Sequence, residues 1–313
     1  MMTGQAQIAD TDGAVEGAPP TSAPAGVEGA SPHGRRGHRT LRRWMRQERA
    51  GIVAMSFLAL VVLVAVFAPV VAPYDPLAQD VPNRLARPSG AHWLGTDDVG
   101  RDVLSRLIFG ARTSLWAAVL AVAVAAVIGI PVGLVAGYAG RWVDAALMRI
   151  TDTILSFPAL VLAVGVTGAL GIGLNTSMFA IGVVFAPSVA RLMRGGTLTV
   201  RKAPYVDASV LAGSRTSGII VRHVLPNAVQ PVLVQLSLLL AAALLAEAGL
   251  SFLGLGVQPP TPSWGAMLGR AYGYLDKAPA QMLAPGIAIA ACALSINVLG
   301  DAVRRQLDPQ QRR

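Results

Sequence analysis

Charge is scarce in this chain. Only 14% of its 313 residues are Asp, Glu, Lys or Arg, while 53% are hydrophobic; soluble domains carry roughly 25% charged residues. With a mean hydropathy of +0.54, this balance excludes an ordinary soluble fold. Cysteine is almost absent. The one residue, Cys292, lies in an apolar run, cannot pair within the chain, and reads as a small buried hydrophobe. Sequences that make or break bonds are missing too. There is no G-x-x-x-x-G-K-[ST] to cradle ATP, no H-E-x-x-H and no G-x-S-x-G. His33, His38, His92 and His223 are not at metal-ligand spacings. Gly254-Leu255-Gly256 sits in an apolar stretch and not after a strand, which excludes a dinucleotide site. Asp97, Asp98 and Asp102 miss the EF-hand spacing, and Arg101 and Arg106 stand ready to neutralise them; a solvated, ion-paired loop is expected. The chain is therefore read as a non-enzyme with no cofactor or metal of its own.

What is present is a series of apolar runs. Residues 1–33 are rich in Gly, Ala, Pro and Ser and hold no Lys or Arg, a composition that predicts a disordered tail and no signal peptide. A basic block follows, with Arg35, Arg36, Arg39, Arg42, Arg43, Arg46 and Arg49. Six spans are then expected, at 51–73, 114–135, 150–170, 177–192, 228–246 and 284–303, the first uncharged throughout and long enough for a ~30 Å hydrocarbon core. Pro131, Pro158 and Pro187 fall inside spans, where neighbouring helices can satisfy the freed backbone. The organisation is thus a tail and juxtamembrane segment at 1–50, a membrane domain at 51–303 and a short tail at 304–313. Threading with the N-terminus inside puts 19 basic residues in inner segments and 7 in outer ones, the asymmetry of a protein with both termini cytoplasmic. The net charge of +9 is explained this way, with no nucleic-acid partner.

The long inner loop is the informative one. TVRKAPYVDASVLAGSRTSGIIVRHVLPNA (199–228) predicts two short helices. The first covers 203–212, with Pro204 in its first turn and Gly213 in the left-handed position that ends it. Ser214 is placed to cap the second, which runs to about Val224 and is stopped by Leu225–Pro226. Ala208, Leu211 and Ala212 share one face, Val206 and Val210 an adjacent one. Helices of this kind need an apolar partner surface. Periodicity leaves open whether that surface is another protein or the chain's own helix ends.

YVDASVLAGSRTSGIIVRHVLPN (205–227) resembles the cytoplasmic loop motif of binding-protein-dependent ABC permeases, written EAA, then Gly, then Leu-Pro. Asp207, Ala208 and Ser209 stand at the E-A-A positions, Gly213 at the glycine, and Leu225 and Pro226 at the end. Asp207 and Ser209 depart from the usual residues, as does Val210 at a position often held by Arg, and Arg305 at one often held by Asp. HWLGTDDVGRDVLSRLIFGARTSL (92–115), GLSFLGLGVQPPTPSWGAML (249–268) and LGDAVRRQLDP (299–309) resemble the dipeptide/oligopeptide/nickel branch. The resemblance spans about 51–309. It implies an all-α polytopic protein with six transmembrane helices and the type I ABC importer permease fold. It further implies a second permease subunit, two ATP-binding subunits that carry ATP and Mg, and an extracellular solute-binding protein. Tyr205, Val206, Asp207, Ala208, Ser209, Gly213, Leu225 and Pro226 would form the ATPase-coupling loop. The outer stretches 92–106 and 258–264 would meet the binding protein. Di- or oligopeptides are the implied cargo, with nickel chelates, glutathione or another small solute behind them.

Two acids lie within spans, Asp152 and Glu247. A charge at mid-bilayer costs about 2.5–3.5 kcal/mol on insertion scales, so such residues usually face a cavity or a partner; Glu247 is the candidate for the substrate pathway. An ion-gradient-driven secondary transporter would instead show inverted repeats and mid-membrane ionisable groups, and no repeat is found. An intramembrane enzyme would need one of the missing motifs.

Overall fold

The computed structural model describes residues 36–307, with side chains over 49–305. The 1–33 tail, the side chains of the basic block before Arg49, and residues 308–313 lie outside the described residues. Among the described residues twelve α-helices follow one another, and the only β pairing is one isolated bridge, Thr96 to Asp102. They are α1 (Arg36–Val66), α2 (Ala68–Val71), α3 (Val103–Ala139), α4 (Arg141–Leu155), α5 (Ala159–Leu170) and α6 (Leu174–Arg201). Then come α7 (Pro204–Leu211), α8 (Thr216–Ile219), α9 (Leu225–Ala228), α10 (Gln230–Phe252), α11 (Trp264–Ala271) and α12 (Ala280–Leu307).

Five helices (α1, α3, α6, α10 and α12) contain stretches long and apolar enough to cross a membrane, and α4 with α5 makes a sixth crossing if the bent pair counts as one. The fold is thus the expected all-helical membrane bundle. Its third span is different from the expected 150–170 helix: α4 and α5 meet at 93°. Pro158 explains the break. It has no N–H to donate and its ring would clash with the Ile154 carbonyl, so α4 stops at Leu155 and Pro158 occupies the position before α5. The twelve residues of α5 cover only about 18 Å.

The tightest packing is α3 against α6. Gly129, Gly133 and Gly137 recur at helical spacing on α3, where a Cβ on Gly133 would lie 2.3 Å from the Ala190 carbonyl oxygen and one on Gly129 2.6 Å from that of Ala186. Lipid tails are as apolar as leucine, so helices in a membrane gain by close backbone approach, and small residues permit it. Charged ties add to this at one end. Arg194 holds Asp144 with two hydrogen bonds, Arg191 reaches Asp152 at 2.6 Å, and Arg201 donates to the Tyr138 carbonyl at 2.6 Å. Together they fasten α4 and the end of α3 to α6. Asp152 is therefore an exposed, ion-paired group.

The bundle has two unlike ends. One carries the short helices α7–α9, the other the long segments 72–102 and 253–263. Each has a core of its own. Ala121, Met178, Ile181, Leu244, Leu250, Trp264 and Cys292 belong to the core nearer the long segments. Val189, Met193, Val206, Ile219, Val224 and Val232 belong to the one beneath the short helices.

Candidate functional site

The short-helix end is built around one turn. Ala203 precedes α7, and Pro204 opens it where a missing N–H costs nothing. Past its end, Gly213 adopts φ 76°. Its N–H donates to the Val210 carbonyl at 3.0 Å, and the Ser214 N–H to that of Ser209 at 3.1 Å, the paired bonds of a Schellman cap. The predicted glycine turn is thus present, and α7 is close to the predicted helix.

The second helix departs from expectation. Arg215, not Ser214, precedes α8, and no side chain caps it. Nor does Leu225–Pro226 end the helical path. Residues Ile220–Val224 form a π turn, with the Leu225 N–H donating to the Ile220 carbonyl, and α9 continues directly. Proline supplies the reason: Pro226 cannot donate to the Arg222 carbonyl, and the widened turn before it absorbs the interrupted ladder. Asn227 Nδ2 donates to the His223 carbonyl at 2.7 Å.

These elements divide the motif's side chains into two sets. Val206, 3% exposed, packs with Ile219, Val224, Val189, Met193 and Ala228, so the loop does rest on the chain's own helix ends. Val210, expected to share its face, points away. It is exposed together with Tyr205, Leu211 and Val221, Leu211 to 89%. Asp207, Ala208 and Ala212 are exposed on α7 and just beyond it, while the Ser209 hydroxyl donates to the Tyr205 carbonyl at 2.9 Å. The Tyr205 ring sits 6.4 Å from that of His223. Arg215 and Arg222 border this apolar patch and are exposed. One side is anchored and the other uncovered.

Glu247 occupies the opposite half, in a setting unlike that of a residue on an open path. It is 0% exposed, so in this conformation no solute in a water-filled path touches it. Its Oε1 accepts from the Ser251 hydroxyl at 2.8 Å, while Oε2 is buried without a hydrogen-bond partner and the Ser114 and Ser263 hydroxyls lie beside the carboxyl. Each of these serines also accepts a backbone N–H: Val257 to Ser251 at 3.2 Å, Trp264 to Ser114 at 3.1 Å and Ala266 to Ser263 at 3.2 Å. Glu247 is the centre of a brace joining α3, α10 and the segment between α10 and α11. Gly256 and Gly265 close in on Ser251, and a Cβ on Gly256 would lie 2.1 Å from its hydroxyl.

The charged stretch at this end is ion-paired as expected but not solvated. Arg101 meets Asp97 at 2.7 Å and Arg106 meets it at 3.4 Å, Arg270 lies 3.9 Å from Asp98, and His92 is 2.9 Å from Asp102. Asp97, Arg101, Asp102 and Arg106 are all buried. Sequence reading missed this because it treats a charge run as surface. The signal that could have found it is the glycine pair: Gly95 and Gly100 both have positive φ and fold the run back on itself. Trp264, expected at a contact surface, is buried with its indole N–H on the Leu107 carbonyl at 2.9 Å; Trp93 and residues 258–261 remain exposed. Among the described residues no group of three metal-ligating side chains occurs.

Comparison with known proteins matches this arrangement to one family. Residues 129–313 match the model of the binding-protein-dependent transport system inner membrane component, and residues 37–88 that of the N-terminal membrane domain of oligopeptide transport permease C. A dipeptide transport system permease of Alkalihalophilus pseudofirmus is 37% identical over 86% of this chain and 88% of its own length. A di/tripeptide transport system permease of Pseudomonas aeruginosa is 42% identical over 84% and 88%. A glutathione transport system permease of Pectobacterium atrosepticum is 39% identical over 86% and 89%. Among solved structures, an inward-facing form of the MetNI methionine ABC transporter superposes with a TM-score of 0.54 at 20% identity, over 65% of this chain and 96% of that one; it supports the fold alone. The chain is a multi-pass membrane protein and belongs to the family of binding-protein-dependent transport system inner membrane components.

Proposed function

We propose that this chain is one of two permease subunits of an ATP-driven importer of di- and oligopeptides, and that residues 205–227 dock on its ATPase. The observation that carries the docking reading is the divided loop: Val206 is locked into the bundle while Tyr205, Val210, Leu211 and Val221 stand uncovered beside Arg215 and Arg222. A groove on an ATP-binding subunit supplies the missing cover. Asp207, Ala208, Ser209, Gly213, Leu225 and Pro226 shape the element. Two ATP-binding subunits hold ATP and Mg, since this chain has no motif for them. A solute-binding protein delivers cargo at the opposite end, and the positive-inside bias supports both termini in the cytoplasm. Transport is then a shift between two packings of the helices, with no bond made. The names of the relatives support peptides as cargo, with glutathione a member of that class and nickel chelates a less supported alternative.

The test replaces the uncovered side chains and not the anchored one. Leu211→Asp with Val210→Asp is expected to abolish co-purification of the ATP-binding subunits and peptide uptake, with membrane insertion unchanged. Uptake at the original rate would refute the docking role. Uptake surviving without the ATP-binding subunits would favour an ion-gradient carrier instead.

A further inference from the structure

We infer that the groove between α1 and α3 at the long-segment end is a phospholipid site, with Arg112 binding the headgroup phosphate. The groove measures about 720 Å³ and is lined by Val62, Ala65 and Val66 of α1 and by Arg112, Trp116 and Val119 of α3, among others. Arg112 is exposed there and, among the described residues, makes no ion pair. The other α3 arginine near that end, Arg106, is buried against Asp97. An arginine within a membrane helix faces a partner of opposite charge or snorkels to the interface.

Depth identifies the partner. The 37 residues of α3 extend about 55 Å, some ~25 Å beyond the ~30 Å hydrocarbon core. Shared between the ends, that excess places the hydrocarbon boundary about 12 Å below Val103. Arg112 is nine residues along, about 13 Å, just inside that boundary, from which its long side chain reaches out to the lipid phosphates. Trp116 follows one turn deeper on the same side of α3 and is exposed. Below and beside the cation, Val62, Val66 and Val119 are exposed and apolar, a surface suited to an acyl chain. A zwitterionic peptide fits less well: its ammonium would need an acceptor charge, and the lining residues include no carboxylate. One anionic head above apolar walls is the pattern of a phospholipid, in the outer leaflet under the proposed orientation.

The experiment uses the intact transporter. The assembled complex is extracted into native nanodiscs and its lipids are counted by mass spectrometry; separately, detergent-purified complex is titrated with phosphatidylglycerol or a neutral glycolipid of the same chains. The original complex is expected to retain phosphatidylglycerol and to gain thermal stability from it but not from the glycolipid. Arg112→Gln should lower retention about tenfold, and Arg112→Lys should keep a measurable part. Val62→Trp, which narrows the groove from an exposed position and spares the cation, should also lower it. Equal lipid retention in Arg112→Gln would overturn the inference. So would loss of the second permease subunit in that variant, which would mean an acid of the partner pairs with Arg112. A raised KM for peptide at unchanged lipid retention would assign the arginine to cargo and overturn it as well.

Discussion

At Gly213 a side chain would have room but not a permitted backbone: nothing lies within 4 Å of a Cβ built there, yet φ is 76°. A β-branched residue in that conformation costs on the order of 1–2 kcal/mol, so Gly213→Val should undo the turn and abolish transport while insertion stays normal. Gly213→Asn, which tolerates left-handed φ, should keep most of it; uptake assays with surface quantification separate the two. If Gly213→Val transports normally, the turn is not the coupling element. Glu247 is the opposite case, held by contacts rather than by backbone. Glu247→Gln keeps a polar group for the serine hydroxyls and should cost little. Glu247→Leu strands Ser114, Ser251 and Ser263 among apolar neighbours, at about 1–3 kcal/mol per unsatisfied group, and should lower the unfolding temperature of the purified complex clearly below that of the Gln variant. Equal unfolding temperatures would show that the brace does not stabilise the segment between α10 and α11.

Among elements, the α3–α6 crossing sets the frame. Gly133→Leu would drive a side chain into the Ala190 carbonyl and the Met193 Cβ, both of which a Cβ already reaches within 2.7 Å. Overpacking costs typically 1–3 kcal/mol, and helix backbone cannot yield as a side chain end can, so the folded fraction seen by size-exclusion chromatography should fall sharply. Normal recovery would mean that the helices separate at little cost. The long helices were legible because a run of twenty apolar residues needs no partner to declare itself. The shorter features were not. Pro158 stands within an apolar run, but a proline alone does not tell a kink from the 93° bend between α4 and α5. The π turn before Pro226 has no mark in the sequence, because a proline's missing donor predicts an interruption and not how the chain absorbs it. In the loop, spacing found Gly213 but could not tell Val206 from Val210. They lie a turn apart, and the core under one of them comes from α6, which sequence spacing does not reach.

For the whole molecule, the two ends differ in how they present charge. The short-helix end leaves Arg215 and Arg222 exposed next to an apolar patch, so a partner there is met by both attraction and burial. At the other end Asp97 and Asp98 spend their charges on Arg101, Arg106 and Arg270, and Asp102 faces His92. The exposed remainder of segments 72–102 and 272–279 pairs off in sign: Asp75, Asp80 and Asp276 against Arg84, Arg87 and Lys277. Such a face projects almost no field beyond a Debye length of about 8 Å at physiological ionic strength. A protein landing on it gains no electrostatic acceleration of encounter, and selection must come from the relief around Trp93 and residues 258–261. Association at that face should therefore change little between 50 and 500 mM salt, at about 0.05 to 0.5 M ionic strength, when measured by surface plasmon resonance on the nanodisc complex. A steep fall with salt would show that the incoming protein brings a charge pattern for which this quiet surface has a hidden counterpart.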